Sequence, residues 1–166
     1  MNVQTILVAV AAHEWTLEAL HRACRLARQT GAQIALVRMV QVQHVEWLGT
    51  EFGYTEMSYQ DRLNINEYRA TLEDYGIPYQ LINFQYATFN EALEQVADQA
   101  DAQIVFAAVP KSLIPHWHRF QSWRLRQRME MNRRLLFTLE HGDRDLFLNE
   151  QLSSPYTETL SHAEAK

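Results

Sequence analysis

Glycine is scarce in this chain: there are five, and none lies between Gly76 and Gly142. Over that interval no loop can bring its backbone N–H groups close around a phosphate, because every residue carries a Cβ. Cysteine is almost missing. The single thiol, Cys24, excludes an internal disulfide and fits a reducing compartment. Long apolar runs are also lacking. Ile6–Ala12 is apolar but too short to cross a bilayer, and no positive residue precedes it, so it is expected to be a strand rather than a leader or an anchor. Positive charge is in short supply overall, with 15 Lys and Arg against 20 Asp and Glu, and a net charge of −5 gives no general attraction to nucleic acid.

What is present is an ordinary globular composition. Apolar residues make up 47% and charged residues 21% of 166, enough for one domain with a sizeable core. The charge is unevenly spread. Lys111, Arg119, Arg124, Arg126, Arg128, Arg133 and Arg134 stand against one acid, Glu130, while the rest of the chain holds eight basic and 19 acidic residues. A positive segment on an acidic body points to an anion or an acidic partner.

Hydrophobic periodicity alternates between strand and helix along residues 1–141, which are expected to form one domain. Gln4–Ala11 is a near-continuous apolar run rich in β-branched residues, the pattern of a strand covered on both faces. Leu17, Leu20, Cys24 and Ala27 then recur at helical spacing, and Gly31 stands at the C-cap. Gln33–Val42 reads as the second strand, with Arg38 reaching an edge of the core or an acidic neighbour. Residues 43–57 read as a long surface connection. Ser58-x-x-Asp61 has the form of a capping box, and Ile65, Tyr68 and Leu72 give the helix face that follows, ending at Gly76. Pro78–Gln85 is the expected third strand. Thr88-x-x-Glu91 has the form of a second capping box before Leu93, Val96, Ala97 and Ala100. Gln103–Val109 is expected as the fourth strand, Lys111–His118 as a loop, Phe120–Arg133 as a helix and Leu135–Leu139 as a short fifth strand. Residues 142–166 are expected to form an exposed polar tail, frayed at its end, with Leu146, Phe147 and Leu148 as the group that could drape on a neighbour.

Alternating strands and helices with right-handed crossovers predict an α/β fold: a five-stranded parallel sheet, order 3-2-1-4-5, with helices on both faces. In such a Rossmann-like sheet the ligand crevice opens at the carboxyl ends of the strands where their order reverses, here between strands one and four. Ala11, Ala12 and His13 are then expected to face Val109, Pro110 and Lys111.

The chain resembles a universal stress protein over about Gln4–Leu139. The resemblance rests on the ILVAV first strand, QTGAQ before the second strand, YGIPY before the third, and EALEQVADQADAQIVFAAV leading into the fourth. Nucleotide-binding members of that family carry an acid at the end of the first strand and a G-x2-G-x9-G-[ST] loop after the fourth. Here Ala11 stands at the first position, and the loop reads VPKSLIPHWHRFQSW without glycine. The resemblance therefore implies a cytoplasmic regulatory or binding protein of the stress response that forms homodimers, is not an enzyme and needs no cofactor. It does not imply family-type ATP binding.

Several residues offer chemistry beside that reading. Lys111, His116, His118 and Arg119 could serve as a side-chain anion site, with Ala11, His13 and Val109 lining the same crevice. The plainer alternative is that these charges solvate a helix face or meet an acidic protein partner. His116-x-His118 lacks further metal ligands nearby in sequence, so no metal is expected. Trp117, Phe120 and Trp123 interleave with Arg119 and Arg124; this mixture fits a protein interface better than a nucleic-acid platform on an acidic chain. Ser112 and Ser122 have histidines nearby in sequence, which does not by itself make a triad.

Overall fold

A strand that is apolar on both faces needs cover on both sides, and the first strand dictates the layering. In the computed structural model, which describes residues 3–42, 44–50, 57–110 and 117–139, β1 (Thr5–Ala9) is buried at every position. The remaining elements follow in order: α1 (His13–Thr30), β2 (Gln33–Gln41), a 3-10 turn (Val45–Trp47), α2 (Tyr59–Tyr75), β3 (Tyr79–Tyr86), α3 (Phe89–Gln99), β4 (Ile104–Phe106), α4 (Trp117–Met131) and β5 (Leu135–Phe137). All pairings are parallel, in the order β3-β2-β1-β4-β5. Ile6 aligns with Ile34 on one side and Ile104 on the other, and Ile104 with Leu135.

Period-two alternation divides the core between the two faces. Ile6, Val8, Ile34, Leu36 and Phe106 meet Leu20, Cys24, Tyr68 and Leu72 of α1 and α2. Leu7, Ala9, Ala35, Val37 and Val105 meet Leu93, Val96, Leu125 and Met129 of α3 and α4. Cys24 is fully buried in the first of these layers. Arg38 reaches the edge of the core: it lines a small cavity of about 120 Å³ with Leu36, Met57, Ile65, Leu81 and Asn83.

The helix ends follow the local sequence in most places. Gly31 (φ +73°) and Gly76 (φ +66°) close α1 and α2 in the left-handed conformation that a Cβ disfavours. Ser58 and Asp61 form a complete capping box, each side chain accepting from the other's backbone N–H at 3.0 and 3.2 Å. The second box does not form. Thr88 is the N-cap of α3, but its side chain makes no capping bond, and the helix is held by its buried face of Ala92, Leu93, Val96 and Ala97.

Other boundaries also differ from expectation. β1 and β4 are shorter than their apolar runs, and β5 stops at Phe137. Apolar character marks burial and extends beyond the residues that pair. α4 starts at Trp117, so Trp117 and His118 are helical rather than in the loop. It ends before Arg133, which adopts φ +58° in a Schellman turn: the Arg133 N–H donates to the Glu130 carbonyl and the Arg134 N–H to the Met129 carbonyl, both at 2.9 Å. Residues 43, 51–56, 111–116 and 140–166 lie outside the described residues, and with them most of the expected surface connection, most of the expected loop, and the tail.

Candidate functional site

Four chain segments meet where β1 and β4 end, at the reversal of strand order. Beyond β1 come Val10, Ala11 and Ala12; beyond β4 come Ala107, Ala108, Val109 and Pro110. These residues carry no ionisable side chain and no side-chain donor. Val109 is buried, Ala11 half-buried and Pro110 exposed.

The turn from β1 into α1 is closed from within. Thr16, fully buried, accepts a hydrogen bond from the Ala11 N–H and donates to the Ala12 carbonyl, each at 3.0 Å. Ala12 is the N-cap of α1 and has no side-chain acceptor to cap with; the threonine one turn later takes up the Ala11 N–H, just ahead of the helix. His13, the first residue of α1, is engaged with α2. Its Nδ1 lies 3.1 Å from the Tyr68 hydroxyl and its Nε2 3.3 Å from a Glu67 carboxylate oxygen, while the two rings stack at 5.6 Å. Burial raises the pKa of the Tyr68 phenol above 10.0; the side-chain contact with Thr16 opposes this, and the carboxylates of Glu67 and Asp61 push it further up.

On the β4 side, His118 Nε2 lies 3.3 Å from the Val109 carbonyl oxygen. Two residues named from sequence are thereby brought together, and the first turn of α4 is tied to the end of β4. Arg119, the next residue, is exposed. Lys111 and His116 fall outside the described residues. The site residues thus divide: Ala11 bonds into the β1–α1 turn, His13 reaches α2, and Val109 with His118 forms the β4–α4 junction.

The basic segment is divided as well. Arg128 bonds Glu94 at 3.1 Å, and Arg134 bonds Asp98 at 2.7 Å and the Ala102 carbonyl at 2.8 Å, so both fasten α4 and its end to α3 and the loop after it. Arg119, Arg124 and Arg133 are exposed. The outer side of α4 carries Trp117, Phe120 and Trp123, with ring centroids 5.4 and 5.9 Å apart and exposures of 45, 45 and 54%. Only Leu125 and Met129 of this helix are fully buried. The Ser122 hydroxyl is buried without a hydrogen-bond partner among the described residues, so no base is aligned on it.

Sequence reasoning missed the link from His13 to Tyr68 and Glu67, and the similar contact of His21 Nδ1 with the Tyr75 hydroxyl at 3.1 Å. These pairs are 55 and 54 residues apart, and only the packing of α1 on α2 joins them. Among the described residues no three His, Cys, Asp or Glu side chains converge as a metal site, and no helix is long and apolar enough to cross a membrane.

No protein-family model matches the sequence, and neither does any curated protein. Solved structures do match in three dimensions. A universal stress protein family member from Burkholderia pseudomallei shares 18% identity, with a TM-score of 0.57 over 81% of this chain and 94% of its own. A universal stress protein in complex with cAMP shares 12% identity, with a TM-score of 0.55 over 84% of this chain and 98% of its own. The strand order, the all-parallel pairing and the placement of the helices agree with these likenesses: the chain has the fold of the universal stress proteins.

Proposed function

We propose that this protein is a cytoplasmic regulatory or binding protein of the stress response, which acts by association, without catalysis and without the glycine-loop ATP binding of nucleotide-binding universal stress proteins. The observation that carries this reading is the chemistry of the crevice. Alanine, valine and proline stand where the central strands end, and Ala11 offers no carboxylate. From Gly76 to Gly142 no residue can give a phosphate the close backbone approach that glycine allows. Association has candidate surfaces elsewhere. β5 is an edge strand with Leu135 42% exposed, which suits pairing of two copies in a homodimer, and the arginine-rich outer side of α4 suits an acidic protein partner. The test is retention of labelled ATP by the purified protein with magnesium. Background retention is expected; tight, magnesium-dependent retention overturns the proposal.

A second reading, an anionic-ligand or nucleotide binder built on the 111–134 segment, draws support from the bond between His118 and the Val109 carbonyl, which holds the start of α4 against the crevice. The structural neighbour holding cAMP makes that nucleotide a natural member of the test panel. On this reading, phosphate-bearing ligands raise the melting temperature and Lys111→Ala with Arg119→Ala abolishes the rise. No shift with any nucleotide ends it.

A further inference from the structure

A guanidinium in the middle of an otherwise apolar strand needs a partner or a use. Arg38 stands in β2 between Leu36 and Val40, which lie on the same side of the sheet and are 1 and 5% exposed, while Arg38 itself is half-buried. Arg22, Arg128 and Arg134 each meet a carboxylate. The Arg38 guanidinium makes no ion pair or hydrogen bond among the described residues. Three acids of the helix that covers this side are engaged elsewhere: Asp61 accepts from the Ser58 N–H, Glu67 meets His13, and Glu73 accepts from the Tyr79 hydroxyl.

What Arg38 does face is the cavity of about 120 Å³ between β2, β3 and α2. Its walls are apolar, with Leu36 from β2, Leu81 from β3, Ile65 from α2 and Met57 just ahead of that helix. The polar groups lie together at one end. Strand register sets Asn83 beside Arg38, one step beyond the pair Leu36 and Leu81. Paired positions on neighbouring strands share a face at a spacing of about 5 Å, so the guanidinium and the amide can donate to the two oxygens of one carboxylate. An apolar cavity of about 150 Å³ takes up benzene, so the space beside Leu36, Ile65 and Leu81 suits a body of about six carbons. This place is separate from the crevice, which opens between β1 and β4.

We infer that the β2–β3–α2 cavity is a binding site for a small monocarboxylic acid, with its carboxylate held by Arg38 and Asn83 and its apolar body among Leu36, Ile65 and Leu81. The apolar walls supply attraction, and the guanidinium selects the acid over a neutral molecule of the same shape. A second charge on the ligand would be set against aliphatic walls, which disfavours dicarboxylates and phosphate esters.

Titration of the isotope-labelled full chain with hexanoate, followed by amide NMR shifts, tests this. Saturable shifts are expected at Leu36–Arg38 and Leu81–Asn83. Hexanol, which lacks the charge, and acetate, which lacks the body, are expected to leave these amides unmoved at the same concentrations. Arg38→Gln is expected to weaken hexanoate binding by about tenfold or more. Asn83→Ala, at an exposed position, is expected to weaken it less, and Ile65→Phe, which fills the cavity, to abolish it. The spectrum of each variant reports whether the fold is kept, and the comparison of hexanoate with hexanol needs no variant. Absence of saturable shifts overturns the proposal, as do equal shifts with hexanol or unchanged affinity in folded Arg38→Gln. Shifts centred on His118 and Arg119 also overturn it, by assigning the acid to the start of α4. None of these readouts depends on ATP retention, so this inference and the proposed function can fail separately.

Discussion

His13 and Tyr68 join two helices across 55 residues of sequence, the imidazole Nδ1 lying 3.1 Å from the phenolic oxygen. With Nε2 protonated toward Glu67 and Nδ1 accepting from Tyr68, one tautomer satisfies both contacts. The first residue after the β1–α1 turn is thereby fixed to α2, and Tyr68, 1% exposed, joins a core contact to a polar one. Removing the hydroxyl as Tyr68→Phe keeps the ring and deletes the link. The expected cost is about 1 kcal/mol, or roughly 3 °C in melting temperature. An unchanged melting temperature would show that the bond adds nothing to stability.

The two capping sequences should behave differently although they look alike. Ser58→Ala breaks a reciprocal pair of hydrogen bonds at the start of α2 and is expected to cost about 1 kcal/mol. Thr88→Ala removes a hydroxyl that makes no capping bond and is expected to cost much less. Urea denaturation of both variants decides it, and equal losses would contradict the geometry.

Arg133 occupies the left-handed position of a Schellman turn at φ +58°, where a side chain carries a cost of about 1 kcal/mol. Arg133→Gly is therefore expected to stabilise the protein, raising the melting temperature by about 2–4 °C. A fall on this substitution would mean that the arginine makes a contact worth more than its backbone strain.

Cys24 lies in the core between α1 and the sheet, where burial pushes its pKa from 9.0 up to about 11 and the charge of Arg28 pulls weakly the other way. The thiol favours the fold as long as it keeps its proton. That contribution is complete below pH 9 and is lost as pH rises through about 11. Denaturation midpoints should therefore fall more steeply between pH 9 and 11 in the native protein than in Cys24→Ala. Native Cys24 should also resist alkylation until the protein unfolds, and rapid labelling under native conditions would place it outside the core.

How far the sequence could be read depended on the range of the interactions involved. Strand-forming runs such as Ile6–Ala9 and the apolar spacing of Leu93, Val96 and Ala97 are local patterns, and with the right-handed crossover rule they were enough for a parallel sheet with helices on both faces; the order 3-2-1-4-5 is one of several that rule allows. Strand lengths were read less well, because Ile104–Val109 is apolar throughout while only Ile104–Phe106 pairs as strand. The basic segment looked uniform in sequence. In three dimensions Arg128 and Arg134 are taken up by Glu94 and Asp98, while Arg119 and Arg124 remain at the surface.

The amino-acid order alone determined that this chain builds a parallel α/β sheet and that no glycine serves the mouth of that sheet, since periodicity and the presence of a Cβ are properties of single residues and their near neighbours. The tertiary structure decided which side chains share a surface. His13 goes to Tyr68, His118 to the Val109 carbonyl, and the three aromatic rings of α4 face outward, because these outcomes depend on how helices pack over the sheet and on groups many residues apart.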